Sequence, residues 1–328
     1  MRWSSLLPIM LLLLQGCAQL AQKDQPVPAA APPEVPAVKP APVQAAPVQV
    51  LPKEVVILVS GDSPTYSEVA RILAKQLGQR GSIRHLNGNE LENAKMLAEY
   101  KNDRRKQFVS IGLGASVAAK TLTESQVVFC QVFNYQDHAL LSARHKGVSM
   151  MPSMSRTFDV WRGLAPNITS IGVISGPGFE DMIRTASAAA KSHGIMLRHE
   201  VVNSDKEYLH AYKQMAGQVQ GYWLIPDNRV LSGSVLREVM TFSVRNSKQV
   251  AVFSDELLKL GGLFSTTSDQ QDVAQQVLSR IEQSQHKDTI PGPDIVYLEK
   301  LNLRINSVMA ERFNLEIPAQ YRKYKNVP

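Results

Sequence analysis

Ile168-Thr169-Ser170-Ile171-Gly172-Val173-Ile174-Ser175, followed by Gly176-Pro177-Gly178 and a helical stretch over 179–193, is the passage that decides the fold. A short β-branched run, a glycine- and proline-rich turn, and then an amphipathic helix make up a strand–turn–helix unit of the kind that builds parallel sheets. The same rhythm continues downstream through 196–202, 208–218, 221–225, 231–243 and 250–253. Upstream it runs through 55–60 and 67–79, 108–112 and 115–122, 127–133, 147–150 and 156–164. Gly194 is placed to close the helix before it, and Pro166-Asn167 separates the helix over 156–164 from the strand that follows. The rhythm therefore starts twice, and the expected class is α/β with two doubly wound parallel-sheet lobes.

The two ends of the chain read differently. Residues 6–14 form an apolar run behind the single basic Arg2, too short to span a bilayer. It ends in Leu14-Gln15-Gly16-Cys17, which resembles the cleavage site of a bacterial lipoprotein precursor. That resemblance implies cleavage before Cys17, acylation of Cys17, and, because Ala18 is not an aspartate, the outer membrane facing the periplasm as the address. Residues 25–52 hold nine prolines and little else but Ala, Val and Gln. Such a segment cannot build a core. Extended at about 3.1 Å per residue it would reach on the order of 80–100 Å as a tether.

The remainder, from Lys53 onward, carries a composition that is 44% hydrophobic across the whole chain, enough for a sizeable core. Cys17 and Cys130 are the only cysteines, so acylation of the first leaves no disulfide within the chain. Cys130 lies in the apolar run 127–132 and reads as a buried strand residue. The net charge of +7 has no stripe of basic and aromatic residues to go with it, and Arg104-Arg105-Lys106 is the one tight basic run, so nucleic acid is not an expected partner. The seven histidines are scattered singly without metal-ligand spacing. Gly112-Leu113-Gly114 lacks the third glycine of a dinucleotide fingerprint, and Gly61-Asp62-Ser63 lacks the flanking glycine of a nucleophile elbow. No enzyme, cofactor or metal is expected.

In open α/β sheets ligands sit beyond the carboxyl ends of the strands, beside helix N-termini. The loops at 60–63, 114–116, 133–135, 175–178 and 226–228 fall there. Ser60, Gly114, Ser116, Asn134, Tyr135, Asp227, Asn228 and Asp255 are the candidate ligand-binding residues. Ser116 could donate to a carboxylate, Asp227 or Asp255 could accept from an amine, and Phe133 with Tyr135 could form an apolar wall. Ser63, Asp227 and Asp255 are equally natural helix caps or turn formers.

Leu164-Ala165-Pro166-Asn167 with the strand after it, Ile225-Pro226-Asp227-Asn228, 252–256, Gly261-Gly262-Leu263, Leu301-Asn302-Leu303 and 310–318 occur in the order found in one known family. The ordered set resembles the ABC-type substrate-binding proteins that include tryptophan- and tyrosine-associated components, on the type 1 periplasmic-binding-protein fold. Ile225-Pro226-Asp227-Asn228 is similar to that family's Pro-Thr-Asp-Asn turn, whereas Asn134-Tyr135 stands where the family commonly has Asp-Pro. The likeness implies a hinge of three crossings, near 150–154, 262–268 and 297–302. The expected organisation is a signal peptide over 1–16, a lipidated tether over 17–52, a first lobe of 53–152 with about 263–290, and a second lobe of 153–262 with about 291–328. It further implies a small amino-acid-like or aromatic ligand closed between the lobes, and an inner-membrane permease as partner. An alternative stays open: an outer-membrane lipoprotein using the same fold for protein contact with an envelope machine, without transport.

Overall fold

Val55 to Val59 are each at most 2% exposed, the pattern of a strand covered on both faces. The computed structural model describes residues 53–101 and 103–326, and this strand, β1 (Glu54–Ser60), is central in it. The chain continues through α1 (Pro64–Leu77), β2 (Gly81–Leu86), α2 (Glu90–Ala98), β3 (Lys106–Ile111), α3 (Leu113–Ala119), β4 (Gln126–Cys130) and β5 (His145–Val148). It then crosses to α4 (Met154–Leu164), β6 (Ser170–Ser175), α5 (Glu180–Ser192), β7 (Met196–Val201), α6 (Asp205–Met215), β8 (Gly221–Trp223), α7 (Gly233–Arg245), β9 (Gln249–Val252) and β10 (Phe264–Thr267). Last come α8 (Gln270–Ser284), β11 (Ile295–Val296), β12 (Asn302–Asn306), α9 (Ser307–Arg312) and β13 (Lys325–Asn326).

These strands form a six-stranded sheet ordered β11-β5-β4-β3-β1-β2 and a seven-stranded sheet ordered β13-β12-β10-β9-β8-β6-β7. Every pairing is parallel except β10 with β12. Alternation along a strand sends successive side chains to opposite faces, and the core divides accordingly. Val55, Ile57 and Val59 pack with α1 and α8, while Val56 and Leu58 pack with Leu97, Ala115 and Ala119 of α2 and α3. In the second sheet Ile171 and Val173 join Trp161 and Phe264 on one face, and Ile174 joins Tyr208, Tyr212 and Tyr222 on the other. The doubly wound two-lobe class read from the sequence is the observed one.

Two boundaries differ from the expected ones. Residues 264–267 pair with β9 and β12 in the second sheet, so the second lobe runs on to Thr267, past the bound of about 262, and the return follows at the end of the expected crossing 262–268. Phe264 is fully buried edge-on against Trp161 at 5.4 Å, which anchors that strand in the second lobe. Residues 295–296 pair with β5, so the first lobe runs on to Val296, past the bound of about 290, and the final crossing lies beyond it, where 297–302 was the expected crossing. Buried Arg280 of α8 holds this segment by donating to the carbonyls of Gly147 (2.7 Å) and Pro293.

α8 is tied to the first sheet by two buried amides. Gln107 Nε2 donates to Gln126 Oε1 (2.8 Å), Ser284 Oγ (2.9 Å) and the Ile281 carbonyl (3.1 Å). Gln126 Nε2 donates in turn to the carbonyls of Lys287 (2.7 Å) and Ser284 (3.1 Å). Gly194, at φ +71°, follows the end of α5 as its sequence position suggested. Cys130 is fully buried, and burial pushes its thiol up to about 12. The signal, Cys17 and tether readings lie outside the described residues. No helix among those described is long and apolar enough to cross a membrane.

Candidate functional site

The carboxyl ends of both sheets carry the candidate residues, and their side chains fall into separate settings. At the end of β1, Ser60 Oγ accepts the Ala115 backbone N–H at 2.6 Å, so it fastens the start of α3. Gly112 just before α3 sits at φ +83°, and a Cβ there would lie 2.6 Å from Tyr66 Cε2, so this close turn requires glycine. Ser116 is buried, its hydroxyl donating to the Gly112 carbonyl (2.8 Å) and lying 3.0 Å from Ser110 Oγ. It therefore serves the inside of its own helix. Gly114 and Ser60 instead line an open groove of about 1440 Å³ that runs between α2 and α3, past His85, Leu97, Val117 and His138.

The end of β4 meets the second lobe. Gln131 adopts φ +58°, uncommon for a non-glycine residue, and its buried Nε2 has no partner among the described residues. Phe133, two residues on, packs at 4.6 Å on Phe179 at the start of α5. Tyr135 turns back onto Phe129 at 5.7 Å. Phe133, Tyr135, Phe179, Met182 and Tyr297 border a residual space of about 10 Å³, too small for any solute. Burial raises the phenols of Tyr135 and Tyr297, so both are neutral hydrogen-bond donors at neutral pH. Asn134 is half-buried between Phe133 and Tyr135.

Beyond β8 the turn at Asp227 carries the charge. Asp227 is 1% exposed, and its Oδ2 accepts the Gly176 N–H at 2.8 Å. Arg229 grips the same carboxylate in bidentate fashion, Nε to Oδ1 at 2.8 Å and Nη2 to Oδ2 at 3.0 Å. Its Nη1 reaches across to Asp137 of the first lobe, at 3.0 and 2.8 Å from the two carboxylate oxygens. Nη2 also donates to the Pro177 carbonyl at 3.0 Å, and the guanidinium lies 4.8 Å from the Phe179 ring centroid. The Asp227 hydrogen bonds, with Asp137 adding to them, hold the Arg229 guanidinium above its already high ordinary value. Asn228 is exposed beside this cluster. Next to it, fully buried Ser175 donates to the Gly176 carbonyl (2.8 Å) and lies 2.9 Å from His199 Nε2, whose imidazole is lowered by burial.

Asp255 stands apart from all of these. One oxygen accepts from Ser265 Oγ at 2.5 Å and the other lies 2.7 Å from Arg304 Nε, so it braces β10 and β12. Among the candidates, then, Tyr135 and Asp227 reach the seam between the lobes, with Asn134 and Asn228 alongside, and Ser60 and Gly114 border the groove. Arg229, Asp137 and Phe179 were not singled out from the sequence. Arg229, two residues past Asp227 at a strand end, was the readable hint. Among the described residues no group of acidic, histidine or cysteine side chains could hold a metal ion.

Residues 87–324 match the family model for ABC transporter substrate binding protein. The fold is similar to that of an ABC domain in complex with L-Trp from Streptococcus pneumonia, at 17% identity and TM-score 0.52 over 83% of this chain and 99% of that one. It is similar also to a conserved domain protein from Vibrio cholerae, at 17% identity and TM-score 0.53 over 84% and 99%. A ligand-free, open substrate binding protein with adhesive properties from Clostridium difficile matches at 14% identity and TM-score 0.59, over 84% and 99%. No curated protein matches the chain. With the match running from the end of β2 nearly to β13 and through both lobes, the chain belongs to the ABC transporter substrate binding protein family and has the type 1 periplasmic-binding-protein fold.

Proposed function

We propose that the protein is an extracytoplasmic solute-binding lipoprotein, anchored through Cys17 at the outer membrane, that closes its lobes on a small polar or aromatic molecule. The observation that carries this reading is the seam itself. Phe133 from one lobe meets Phe179 from the other, and Asp137 from the first lobe meets Arg229 held by buried Asp227 of the second, at the carboxyl ends of both sheets, where this architecture recognises ligands. Aromatic rings would supply the apolar walls, and Asp227 with Asn134 would fix orientation. Phe133 and Phe179 are in contact across the lobes, so a solute entering between them would have to part them and favour the refilled state by its own differential affinity.

The same contacts favour a second reading, protein contact without a solute, because the space bordered by Phe133, Tyr135, Phe179 and Tyr297 is only about 10 Å³. Thermal unfolding of the purified protein against amino acids, short peptides, nucleosides, sugars and aromatic acids separates the two. A solute at 100 times its dissociation constant stabilises by roughly 2.7 kcal/mol. A selective upward shift that Asp227→Asn removes supports solute binding. Silence over the whole panel transfers the assignment to protein contact, to be pursued by crosslinking in the envelope.

A further inference from the structure

The Arg229 guanidinium lies in a nearly complete cage. Asp227 takes two of its N–H groups, Asp137 takes a third with both oxygens, the Pro177 carbonyl takes a further contact, and the Phe179 ring lies 4.8 Å from its central carbon. Two carboxylates, a carbonyl and an aromatic face make up a recognition set for a planar or compact cation. The cage spans the seam, since Asp137 belongs to the loop between β4 and β5 and the other members to the second lobe. We infer that Arg229 is a built-in occupant of a cation site between the lobes, and that the solute able to open this protein carries a guanidinium or an amine that takes its place. The inference rests on the solute-binding reading above and names the chemical class of its ligand.

Charge balance is the reason for that class. A neutral or anionic solute that pushed Arg229 aside would leave the carboxylates of Asp137 and Asp227 facing a common space without a counter-charge, and Asp227 has almost no access to water. A cation restores the balance. Arg229 is also an inter-lobe latch, since its Nη1 bonds are the part of the cage that crosses the seam. Its partial exposure lets it swing out, whereas Asp227 is fixed by Gly176.

Methylguanidinium is the probe, titrated calorimetrically into the wild type, Arg229→Ala and Arg229→Ala/Asp227→Asn, with circular dichroism checking each fold. Binding to Arg229→Ala that is at least about tenfold weaker in the other two supports the cage, a factor that corresponds to roughly 1.4 kcal/mol. Equal titration of all three, or none of a folded Arg229→Ala, overturns it. Should Arg229→Ala not fold, Asp137→Ala decides, because it cuts the inter-lobe arm and leaves the Asp227–Arg229 pair whole. The expected result is a larger radius of gyration by X-ray scattering, and an unchanged radius overturns the latch. If the solute panel yields neutral or anionic ligands alone, the cation site falls while solute binding stands. If methylguanidinium fills Arg229→Ala but no solute binds the wild type, the cage stands and the receptor reading falls.

Discussion

The seam between the lobes and the groove on the flank of the first lobe lie at the same end of the sheets, yet they are opposites. In the seam the space bordered by Phe133 and Phe179 is about 10 Å³ and an ion cluster crosses from lobe to lobe, whereas the groove between α2 and α3 is open, at about 1440 Å³. In the seam the charged groups of Asp227, Arg229 and Asp137 are partnered with one another. The groove lining mixes exposed helix residues, such as Val117 at 41% exposure, with loop residues and the buried edge of the core at Leu97. Volume alone would therefore name the wrong place to look for lobe closure. What distinguishes the seam is that its contacts are long-range, charged and aromatic, so opening it has a definite energetic cost, and a ligand has something to compete against.

The largest test of that contrast is to remove a side chain from each region. Phe179 is 3% exposed, so Phe179→Ala is expected to lower stability to urea by about 3–4 kcal/mol. Val117→Ala in the groove should change it by no more than about 0.5 kcal/mol. Similar losses in both would erase the distinction. A milder probe is Gly176→Ala. Its new Cβ would lie 3.0 Å from Asp227 Oδ2 and 3.1 Å from Arg229 Nη2, pressing on the ion cluster without straining the backbone. The expected cost is about 1–2 kcal/mol with some opening of the lobes; no change in either would show that the cluster has slack.

The smallest effect is on pH. Burial lowers the imidazoles of His199, beside the seam, and His145, at the start of β5. In the unfolded chain both bind a proton near the ordinary value of about 6.5, and in the folded protein they resist it until lower pH. The unfolded state therefore holds more protons just below that value. Stability is complete above it and falls as pH drops toward the lowered values. Denaturant titration at pH 7.5 and pH 5.5 should show the decline, and replacing both histidines with glutamine should flatten it. A slope retained in that double variant would assign the sensitivity to other groups.

How far the sequence carried the reading follows from where the signal was dense. β1 stood out as an unbroken apolar run and β3 and β6 as short β-branched ones, and their order with the helices defined the fold. β2 did not, because it is an edge strand whose Gly81-Ser82-Ile83-Arg84-His85-Leu86 leaves Arg84 and His85 exposed and has little alternation to detect. β11 is too short to leave a pattern, and its place depends on Arg280 reaching over from α8. The site was legible as a set of loops and not as a set of partners. Asp227 sits where its turn suggested, but its pairing with an arginine two residues later, and through it with Asp137 ninety residues away in sequence, exists only once the lobes meet. Ser116 and Asp255 had plausible side chains at plausible ends, and local geometry uses both for bracing.

The glutamines at 107 and 126 carry a consequence for how the molecule comes into being. Their amides end on the backbone of residues 281–287, so the first lobe lacks its α8 cover and a home for two buried polar groups until the chain has been made past that point. The second sheet likewise waits for β12 and β13. Neither half can finish as the ribosome delivers it. Both mature late and nearly together, through contacts between distant parts of the chain, which makes for slow assembly and a long interval in which apolar strands stand uncovered.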